Sequence, residues 1–539
     1  MSTLGSYSGP MRRLVLLMLL FLLAVASPAG AAALAPPMVL PGDAGAAASG
    51  ANWIVGAHPS AAADAVAARH GARRIGTGSY TVARGRAREL AAALRAKELL
   101  LYAEPDRLAK RMQTPPPDPL DARASWRAAI VAPSLVPPPV TPTSPLLALV
   151  DSTADVSHPE FAGGSVATLG GFPVESAHGT ETAAIAGAPK NDRGILGVWP
   201  GMRALNVSLP NEIRCANSVT GIARAIELGA AVINMSYGAT KPCFAEYVQL
   251  QVATSKGITL VAAAGNELAQ GNPLLFPASL PHVLTVAAVG SDLKPPFFSS
   301  ASAAVDLSAP GVGILTATPP QFDEDGTRDG YEAVTGTSFS APMVAAAAAW
   351  VRAAKPGYRS DQVAQVLRGS ARDLERKGWD SATGYGLLDL LEALSAPAPA
   401  IDPHEPNDDM AWINGKATSR VDTPIWRRGG ARKLRALVDK YEDPADVYKI
   451  VFPPRARVRV TLTPRFGNPD LAAFTRSASS TADDEQLIGR SRRTGKRKDT
   501  LTLRNPSRRK RSAYIVAYIA RRTRTLDSRY ELRVQRAKR

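Results

Sequence analysis

The chain has 539 residues, of which 45% are hydrophobic, and it contains only two cysteines. This length suffices for several packed domains, the low cysteine content excludes a disulfide-rich scaffold, and no Cys/His cluster has the spacing of a zinc site. The net charge of +17 arises entirely after residue 400, because residues 1–400 hold 31 basic and 31 acidic residues, whereas residues 401–539 hold 33 and 16.

Residues 1–31 have the pattern of a signal peptide. Arg12 and Arg13 precede the apolar run 14–25, and small residues with two A-x-A-like cleavage sites follow. The apolar run is too short to span a bilayer, and no other segment predicts a transmembrane helix. We therefore expect a secreted protein that is extracellular or associated with the cell surface. A retained signal anchor is the alternative.

A small α+β unit is predicted for residues 50–110. Its periodicity alternates between strand and helix. The predicted strands lie around 53–55, 79–82 and 99–104, and the helices over 61–69 and 86–97. A proline-rich linker, residues 111–145, follows it and contains the triplets 115–117 and 137–139.

Residues 146–396 contain four segments in which a polar residue ends a buried strand or begins a small-residue helix. The four residues are Asp151, His178, Asn266 and Ser338. Asp151 and Asn266 end apolar strands, where sites form in open α/β sheets. His178 and Ser338 begin helices, and Gly336 permits the turn that presents Ser338 at a helix N-terminus. A serine becomes a strong nucleophile only beside a base, so the other three residues are its candidate partners.

With these residues in this order, the chain resembles the subtilisin family of serine peptidases. Further matching segments are 232–238, 308–311 and 384–389, and the resemblance covers roughly 146–394. It implies an α/β fold, with a subtilisin-like parallel sheet sandwiched by helices. It also implies that His178 takes the proton of Ser338, that Asp151 orients the imidazole, and that Asn266 donates to the oxyanion. Singly, each residue also fits a structural role as a capping Asp, a core His or a turn Asn.

The unit 50–110 resembles the inhibitory propeptide of the same family. The resemblance implies a zymogen matured by self-cleavage downstream of Asp106, with the mature chain starting within 111–145. The propeptide would act as an inhibitor of its own enzyme. An unrelated small domain is the alternative.

The resemblance also implies that a peptide substrate adds as a strand beside Ser236, Tyr237 and Gly238. Ala263, Ala264 and Gly265 would line one side of the primary specificity pocket. Leu275 is then predicted to shorten the pocket and to favour small or medium apolar side chains. The equal alternative is that loop-length differences shift the register and leave Leu275 as a core residue.

Cys215 and Cys243 are 28 positions apart, and in an exported protein they either form a disulfide or remain as two thiols. No cofactor is expected. The acidic loop 323–329 is predicted to be a solvated loop, and binding of a structural calcium ion there is the alternative. Glu181 lies one helical turn from His178 and is expected to be solvated or paired with a base.

Residues 401–539 predict an all-β sandwich, because segments such as 457–463 and 530–534 alternate strictly between apolar and polar residues. Three short motifs, at 405–408, 446–448 and 468–471, resemble the bacterial pre-peptidase C-terminal domain. Basic clusters at 490–493, 496–498 and 508–511 suit an anionic partner surface, and a solvated basic exterior is the alternative.

Together, these observations predict a secreted serine endopeptidase that acts on polypeptides as a monomer through an acyl-enzyme. The alternative is a catalytically silent secreted protein that binds its partner through the basic C-terminal domain.

Overall fold

The computed structural model describes residues 52–106, 108–111, 125–163, 166–191, 193–375, 377–399, 404–414, 421–439, 443–478, 481, 484–519 and 527–537. The predicted signal peptide and the proline triplet 115–117 lie outside the described residues. None of the helices in these ranges combines the length and the apolar character that crossing a membrane requires.

The N-terminal unit is a four-stranded antiparallel sheet with strand order β2-β3-β1-β4. Its elements are β1 Asn52–Ala57, α1 Ala61–Arg69, β2 Arg73–Gly76, β3 Ser79–Ala83, α2 Arg84–Arg95 and β4 Leu100–Pro105. Along β1, Trp53 and Val55 pack with the two helices, while Ile54 belongs to a second cluster shared with the central domain. The predicted strands and helices are therefore present. Strand β2 was not predicted, because its two exposed arginines interrupt the alternation that is typical of a strand.

The central domain is built on a seven-stranded parallel sheet with strand order β14-β13-β12-β10-β6-β8-β7. The strands are β6 Leu147–Ser152, β7 Val166–Leu169, β8 Ala204–Leu209, β10 Val232–Met235, β12 Thr259–Ala263, β13 Val283–Val289 and β14 Val305–Pro310. Most of these segments are continuously apolar because helices cover both faces of the sheet.

Helices pack on the two faces of this sheet. They are α3 Ser125–Ile130, α4 His178–Gly187, α5 Cys215–Glu227, α6 Phe244–Ser255, α7 Thr337–Ala354, α8 Ser360–Gly369 and α9 Leu390–Ser395. Leu147 and Leu149 of β6 face α4, α7 and α8, whereas Ala148 and Val150 face α5 and α6. The first fifteen residues of α7 are all buried, which its small alanine side chains allow.

Three short strands form a small sheet at one edge of the central domain. They are β5 Leu108–Arg111, β9 Ile213–Arg214 and β11 Tyr237–Gly238, in the order β11-β5-β9. Strand β5 follows the N-terminal unit in the chain, so the tail of that unit lies between two strands of the central domain. A separate two-stranded pair consists of β15 Ile314–Ala317 and β16 Tyr331–Val334.

The C-terminal region is an antiparallel β-sandwich that follows the short helix α10 Met410–Ile413. One sheet has the order β17-β24-β19-β22 and the other β18-β23-β20-β21. The strands are β17 Arg432–Asp439, β18 Ala445–Phe452, β19 Arg457–Pro464, β20 Pro469–Thr475, β21 Leu487–Ser491, β22 Asp499–Arg504, β23 Arg511–Ile519 and β24 Asp527–Arg536. Val458, Val460 and Leu462 face the core, as their alternation predicted. The predicted fold class is confirmed.

Candidate active site

The four residues predicted to form the active site lie on the strands and helices that the sequence pattern predicted for them. Asp151 lies on β6, His178 is the first residue of α4, Asn266 follows β12, and Ser338 is the second residue of α7. Each side chain is no more than 7% exposed. Gly179 lets α4 approach β6, because a Cβ added there would lie 2.0 Å from the carbonyl oxygen of Ser152.

The imidazole of His178 is fixed by Asp151. Nδ1 of His178 lies 2.7 Å from Oδ1 of Asp151, and both side chains are almost fully buried. The same carboxylate accepts hydrogen bonds from the backbone N–H of Ser152 at 2.7 Å and from the Thr182 hydroxyl at 3.2 Å. These donors keep the carboxylate oriented, so Nδ1 carries the proton and Nε2 presents its lone pair.

Nε2 of His178 is buried and has no hydrogen-bond partner among the described residues. The ring centroid of His178 lies 5.7 Å from that of Phe339, the neighbour of Ser338 in the chain. The hydroxyl of Ser338 donates to the carbonyl oxygen of Ser236 at 3.3 Å. Catalytic hydrogen bonds are often long before substrate binds, so this geometry is compatible with the prediction that Ser338 is a nucleophile.

The side-chain amide of Asn266 is held in one orientation. Its Oδ1 accepts hydrogen bonds from the backbone N–H and the hydroxyl of Thr337, at 3.0 and 3.1 Å. These two donors identify the oxygen, so Nδ2 lies on the other side of the amide. Nδ2 is buried and lacks a partner among the residues that the structure describes. A buried N–H₂ without an acceptor is costly, so this amide is available to a hydrogen-bond acceptor that a ligand brings.

The predicted substrate strand is paired with the tail of the N-terminal unit. Tyr237 lies opposite Arg111 and Gly238 opposite Lys110 in an antiparallel register. Ser236, the third predicted residue, donates its hydroxyl to the carbonyl oxygen of Ser338 at 2.9 Å. The Tyr237 hydroxyl lies 2.6 Å from that of Ser218, so this side chain contacts helix α5 and the backbone faces β5.

The predicted pocket residues lie together. Ala263 ends β12, Ala264 is 6% exposed, and Gly265 adopts a φ of 114° that favours glycine. A Cβ added at Gly265 would lie 2.2 Å from Cδ1 of Leu275, so the Leu275 side chain contacts this segment. Leu275 is 4% exposed and also belongs to the central core. The contact between Leu275 and Gly265 is thus expected under both hypotheses. The role of Leu275 in shortening the pocket stays a prediction.

Glu181 is not solvated, so the expectation for it is wrong. Its side chain is 1% exposed, and Oε1 accepts a hydrogen bond from Thr318 at 3.3 Å. Burial, with the charges of Glu332 and Asp151, raises the pKa of Glu181 to about 8. Three positions after His178, the helix turns this side chain inward. A neutral carboxyl group therefore lies near the candidate triad below that pH.

Cys215 and Cys243 form a disulfide, so the alternative of two thiols is excluded. Cys215 is the first residue of α5, and Cys243 is the N-cap of α6. The bond therefore joins the N-terminal ends of two neighbouring helices.

Three groups of side chains in the described ranges have convergent metal-ligand atoms: Glu104 with Cys215 and Cys243; His282 with Glu405 and Asp408; and Glu405 with Asp443 and Asp446. The first contains the disulfide, so it offers no thiolate. In the second, Nε2 of His282 lies 2.9 Å from Asp408, and the nearby Asp408 charge raises the pKa of His282 against the opposing effect of burial. The third offers the carboxylate oxygens that Ca²⁺ prefers.

The acidic loop 323–329 is not among these groups. Asp323 accepts the backbone N–H of Gly330 at 2.9 Å, and Asp325 accepts that of Thr327 at 2.8 Å. Its carboxylates thus organise the loop itself. A solvated loop thus stays the favoured prediction, with calcium binding as its alternative.

Comparison with known proteins agrees with this geometry. A family model described as the subtilase family matches residues 144–386. Subtilisin E of Bacillus subtilis (strain 168) is 34% identical over 274 residues, which cover 49% of this chain and 69% of that protein. The subtilisin of Bacillus pumilus is 34% identical over the same length, and 96% of it is covered.

Fervidolysin of Fervidobacterium pennivorans is 29% identical over 298 residues, and the match spans 48% of this chain and 41% of fervidolysin. The crystal structure of fervidolysin, described as a keratinolytic enzyme related to subtilisin, superposes with a TM-score of 0.53 and 18% identity. The superposition covers 84% of each chain, so the likeness of fold extends beyond the central domain. The sequence matches, the parallel sheet and the order of the four site residues together show that the chain belongs to the subtilase family of serine peptidases.

Proposed function

We propose that the protein is a secreted serine endopeptidase that hydrolyses polypeptides through Asp151, His178 and Ser338. The observations that carry the proposal are the buried pair of His178 and Asp151, 2.7 Å apart, and the buried, unpartnered Nδ2 of Asn266. One arrangement thus supplies an oriented base and an oxyanion donor. The signal pattern of residues 1–31 supports secretion.

The proposed reaction follows from the atoms at hand. Nε2 of His178 takes the Ser338 proton as Oγ attacks the scissile carbonyl carbon, and Asp151 stabilises the resulting imidazolium. Nδ2 of Asn266 and the backbone N–H of Ser338 donate to the oxyanion. His178 then gives its proton to the leaving amine, which leaves an ester on Ser338. Water hydrolyses this acyl-enzyme by the same proton transfers in reverse order.

We also propose that residues 50–110 are an inhibitory propeptide. The pairing of β5 with β11 and β9 supports this role, because this tail occupies the groove where an extended substrate would pair. Cleavage should therefore occur after Arg111, within the linker 111–145. Mass analysis of the purified wild type should show loss of the unit, while Ser338→Ala should keep it. Normal maturation of the purified variant alone would refute self-processing.

The basic C-terminal sandwich supports a second part of the proposal, the binding of an anionic polymer. On the sheet that contains β19, the register places Arg457 directly opposite Arg504. Both are exposed, and neither takes part in a salt bridge within the described ranges. Like charges placed opposite each other destabilise a sheet. We therefore infer that the two arginines serve the binding of an anionic partner and not the stability of the sandwich.

Hydrolysis of an unfolded protein substrate tests the main proposal. The wild type should release peptides from reduced casein, and Ser338→Ala, with the same circular dichroism spectrum, should not. If the purified wild type, freed of residues 50–110, leaves casein intact while both proteins bind an anionic matrix, the alternative of a silent binding protein is favoured.

A further inference from the structure

One sheet of the C-terminal sandwich carries arginines on the face that points away from the core. Four arginines share this outer face: Arg457 and Arg459 of β19, Arg504 of β22 and Arg533 of β24. Their neighbours in the chain, Val458, Leu503 and Leu532, are buried in the core of the sandwich. Side chains alternate along a strand, so the arginines point outward, and all four are exposed.

The register of the sheet arranges these arginines along a diagonal line, the basic stripe. Arg504 lies directly opposite Arg457, and Arg459 follows two positions further along β19. Arg459 lies opposite Gln535 of β24, so Arg533 is its diagonal neighbour one strand across. Charges at such positions stand about 7 to 8 Å apart. The basic stripe therefore crosses three neighbouring strands, from β22 through β19 to β24.

The carboxylate on the same face does not neutralise the basic stripe. Glu531 of β24 forms its salt bridges with Lys433, Arg435 and Arg465, at 3.9, 3.4 and 2.7 Å. Within the described ranges, no salt bridge includes an arginine of the stripe. Like charges close together on a sheet repel one another, so a bound polyanion would remove this repulsion and stabilise the folded protein.

The basic stripe lies on the part of the face that is turned away from the central domain. At the other end of the face, Arg435 and Arg529 line a cavity of about 660 Å³, whose opposite wall includes Ala364 and Arg368 of α8. None of the four arginines of the stripe is among the described residues that line this cavity. A polymer bound to the stripe would therefore lie beside the central domain and not between the two domains.

The side chains between the arginines are uncharged groups that form hydrogen bonds. Thr502 and Gln535 flank Arg459 on its two neighbouring strands, and Thr461 lies opposite Arg533. Hydroxyl and amide groups both donate and accept hydrogen bonds, so they suit a polymer that carries hydroxyl groups as well as charges. The planar guanidinium group matches a carboxylate through two parallel hydrogen bonds. A sugar polymer with carboxylate groups has both features.

The outer face is less suited to a nucleic acid. Proteins that bind single strands stack the bases on exposed aromatic rings. The outward positions of β19 and β22, as the structure describes them, carry only arginines and threonines, and those of β24 carry no aromatic residue. A DNA duplex offers phosphate oxygens but no sugar hydroxyls, so the threonines of this face would gain little from it.

We propose that the basic stripe binds a linear polysaccharide that carries carboxylate groups, a polyuronate, along the diagonal of the sheet. The inference rests on the second part of the proposed function, the binding of an anionic polymer, and it names the chemical class of that polymer. The guanidinium groups would bind carboxylates, and the threonine and glutamine side chains would bind hydroxyls. The central domain would thereby stay close to proteins that are embedded in such a polymer.

The binding of polygalacturonate to the full-length Ser338→Ala protein tests the class of polymer, because this variant should not digest itself. At about 0.15 M salt, polygalacturonate should bind about tenfold more tightly than a DNA duplex of the same total charge. The methyl ester of the polymer keeps its hydroxyl groups and loses its charges, so it should not bind. Surface plasmon resonance with the immobilised protein measures the three affinities.

Two matched double variants in the same Ser338→Ala background test the place of binding. Arg459→Thr with Arg533→Thr should raise the Kd for polygalacturonate about tenfold, because two exposed ion pairs are lost. Arg476→Thr with Arg490→Thr removes the same charge at β20 and β21 of the other sheet, where both arginines are exposed. It should raise the Kd less than about twofold, because salt screens charges that do not touch the polymer. Circular dichroism verifies that both variants are folded.

The possible failures separate the inference from the function on which it rests. DNA binding as tight as polygalacturonate binding, or equal losses of affinity in the two double variants, overturns the polysaccharide site and leaves the binding of an anionic polymer intact. If neither polygalacturonate nor DNA binds, the second part of the proposed function falls together with this inference. The endopeptidase is unaffected by either result, because the hydrolysis of casein tests it separately.

Discussion

The central domain and the C-terminal sandwich place their polar groups in opposite ways. In the central domain, Asp151, His178 and Ser338 are at most 1% exposed; His178 is hydrogen-bonded to Asp151, and Ser338 is hydrogen-bonded to Ser236. In the sandwich, Arg457 and Arg504 are exposed and opposed across a sheet. Buried, hydrogen-bonded polar groups hold one geometry and therefore suit one reaction. An exposed charged face determines only the sign of the charge that its binding partner must carry.

Loss of the nucleophile should give the largest effect. Ser338→Ala should lower kcat about 10⁶-fold, the magnitude that subtilisin shows when it loses its serine. Its free energy of unfolding should change little, because only one hydroxyl is removed. Steady-state hydrolysis and urea unfolding measure the two quantities. A loss of activity below about 100-fold would mean that another group attacks the substrate.

Loss of the oxyanion donor should have a smaller effect on the same domain. Asn266→Ala should lower kcat by about 100- to 1000-fold with little change in KM, because Nδ2 acts on charge that develops in the transition state. The variant also loses the two hydrogen bonds from Thr337 to Oδ1, so its folding must be checked. Steady-state kinetics with a peptide substrate provide the measurement. A rise in KM with unchanged kcat would contradict this role.

Glu181 should make the stability of the buried site depend on pH. Its folded-state pKa of about 8 lies above the ordinary value of 4.5, so the stabilising effect of the neutral carboxyl is complete below pH 4.5. That effect is lost progressively as the pH rises from 4.5 through about 8, and it amounts to about 5 kcal/mol. Urea unfolding of Ser338→Ala, with and without Glu181→Gln, isolates it as a difference. Parallel pH profiles for the two proteins would show that Glu181 is ionised in the fold.

Leu275 should set the size of the primary pocket. Leu275→Ala should raise kcat/KM for a substrate with Phe before the scissile bond, relative to one with Ala, by about tenfold. The ratio of the two substrates cancels any general loss of activity. An unchanged ratio would identify Leu275 as a core residue.

The smallest effects are expected at the basic sandwich. Replacing Arg457 and Arg504 by Thr should lower the salt concentration that elutes the Ser338→Ala protein from an anionic resin, and it should raise stability by a few tenths of a kcal/mol. Arg476→Thr is the control, because Arg476 is exposed next to the other sheet. If each arginine removed from Arg457 and Arg504 shifts the elution no more than the single arginine removed in the control, this face leaves the proposal.

The difference between the two regions also explains what the sequence could predict. Asp151, His178, Asn266 and Ser338 each end a strand or begin a helix, so their local patterns were sufficient to locate them. The strict alternation of 457–463 likewise predicted a strand with one buried face. The burial of Glu181 was not predictable, because it depends on Thr318, a residue 137 positions away. The contacts of Glu104 with α6 were hidden for the same reason, at separations of 140 and 141 residues.

The central claim is that Ser338 is a nucleophile activated by His178, and covalent labelling tests it most directly. A fluorophosphonate probe should label the matured enzyme, and peptide mapping by mass spectrometry should place the adduct on Ser338. The rate of labelling should fall by several orders of magnitude in a folded His178→Ala variant whose propeptide has been removed by added wild-type enzyme, because the hydroxyl then lacks its base. Absence of labelling in the matured protein, or an adduct on another serine, would contradict the claim.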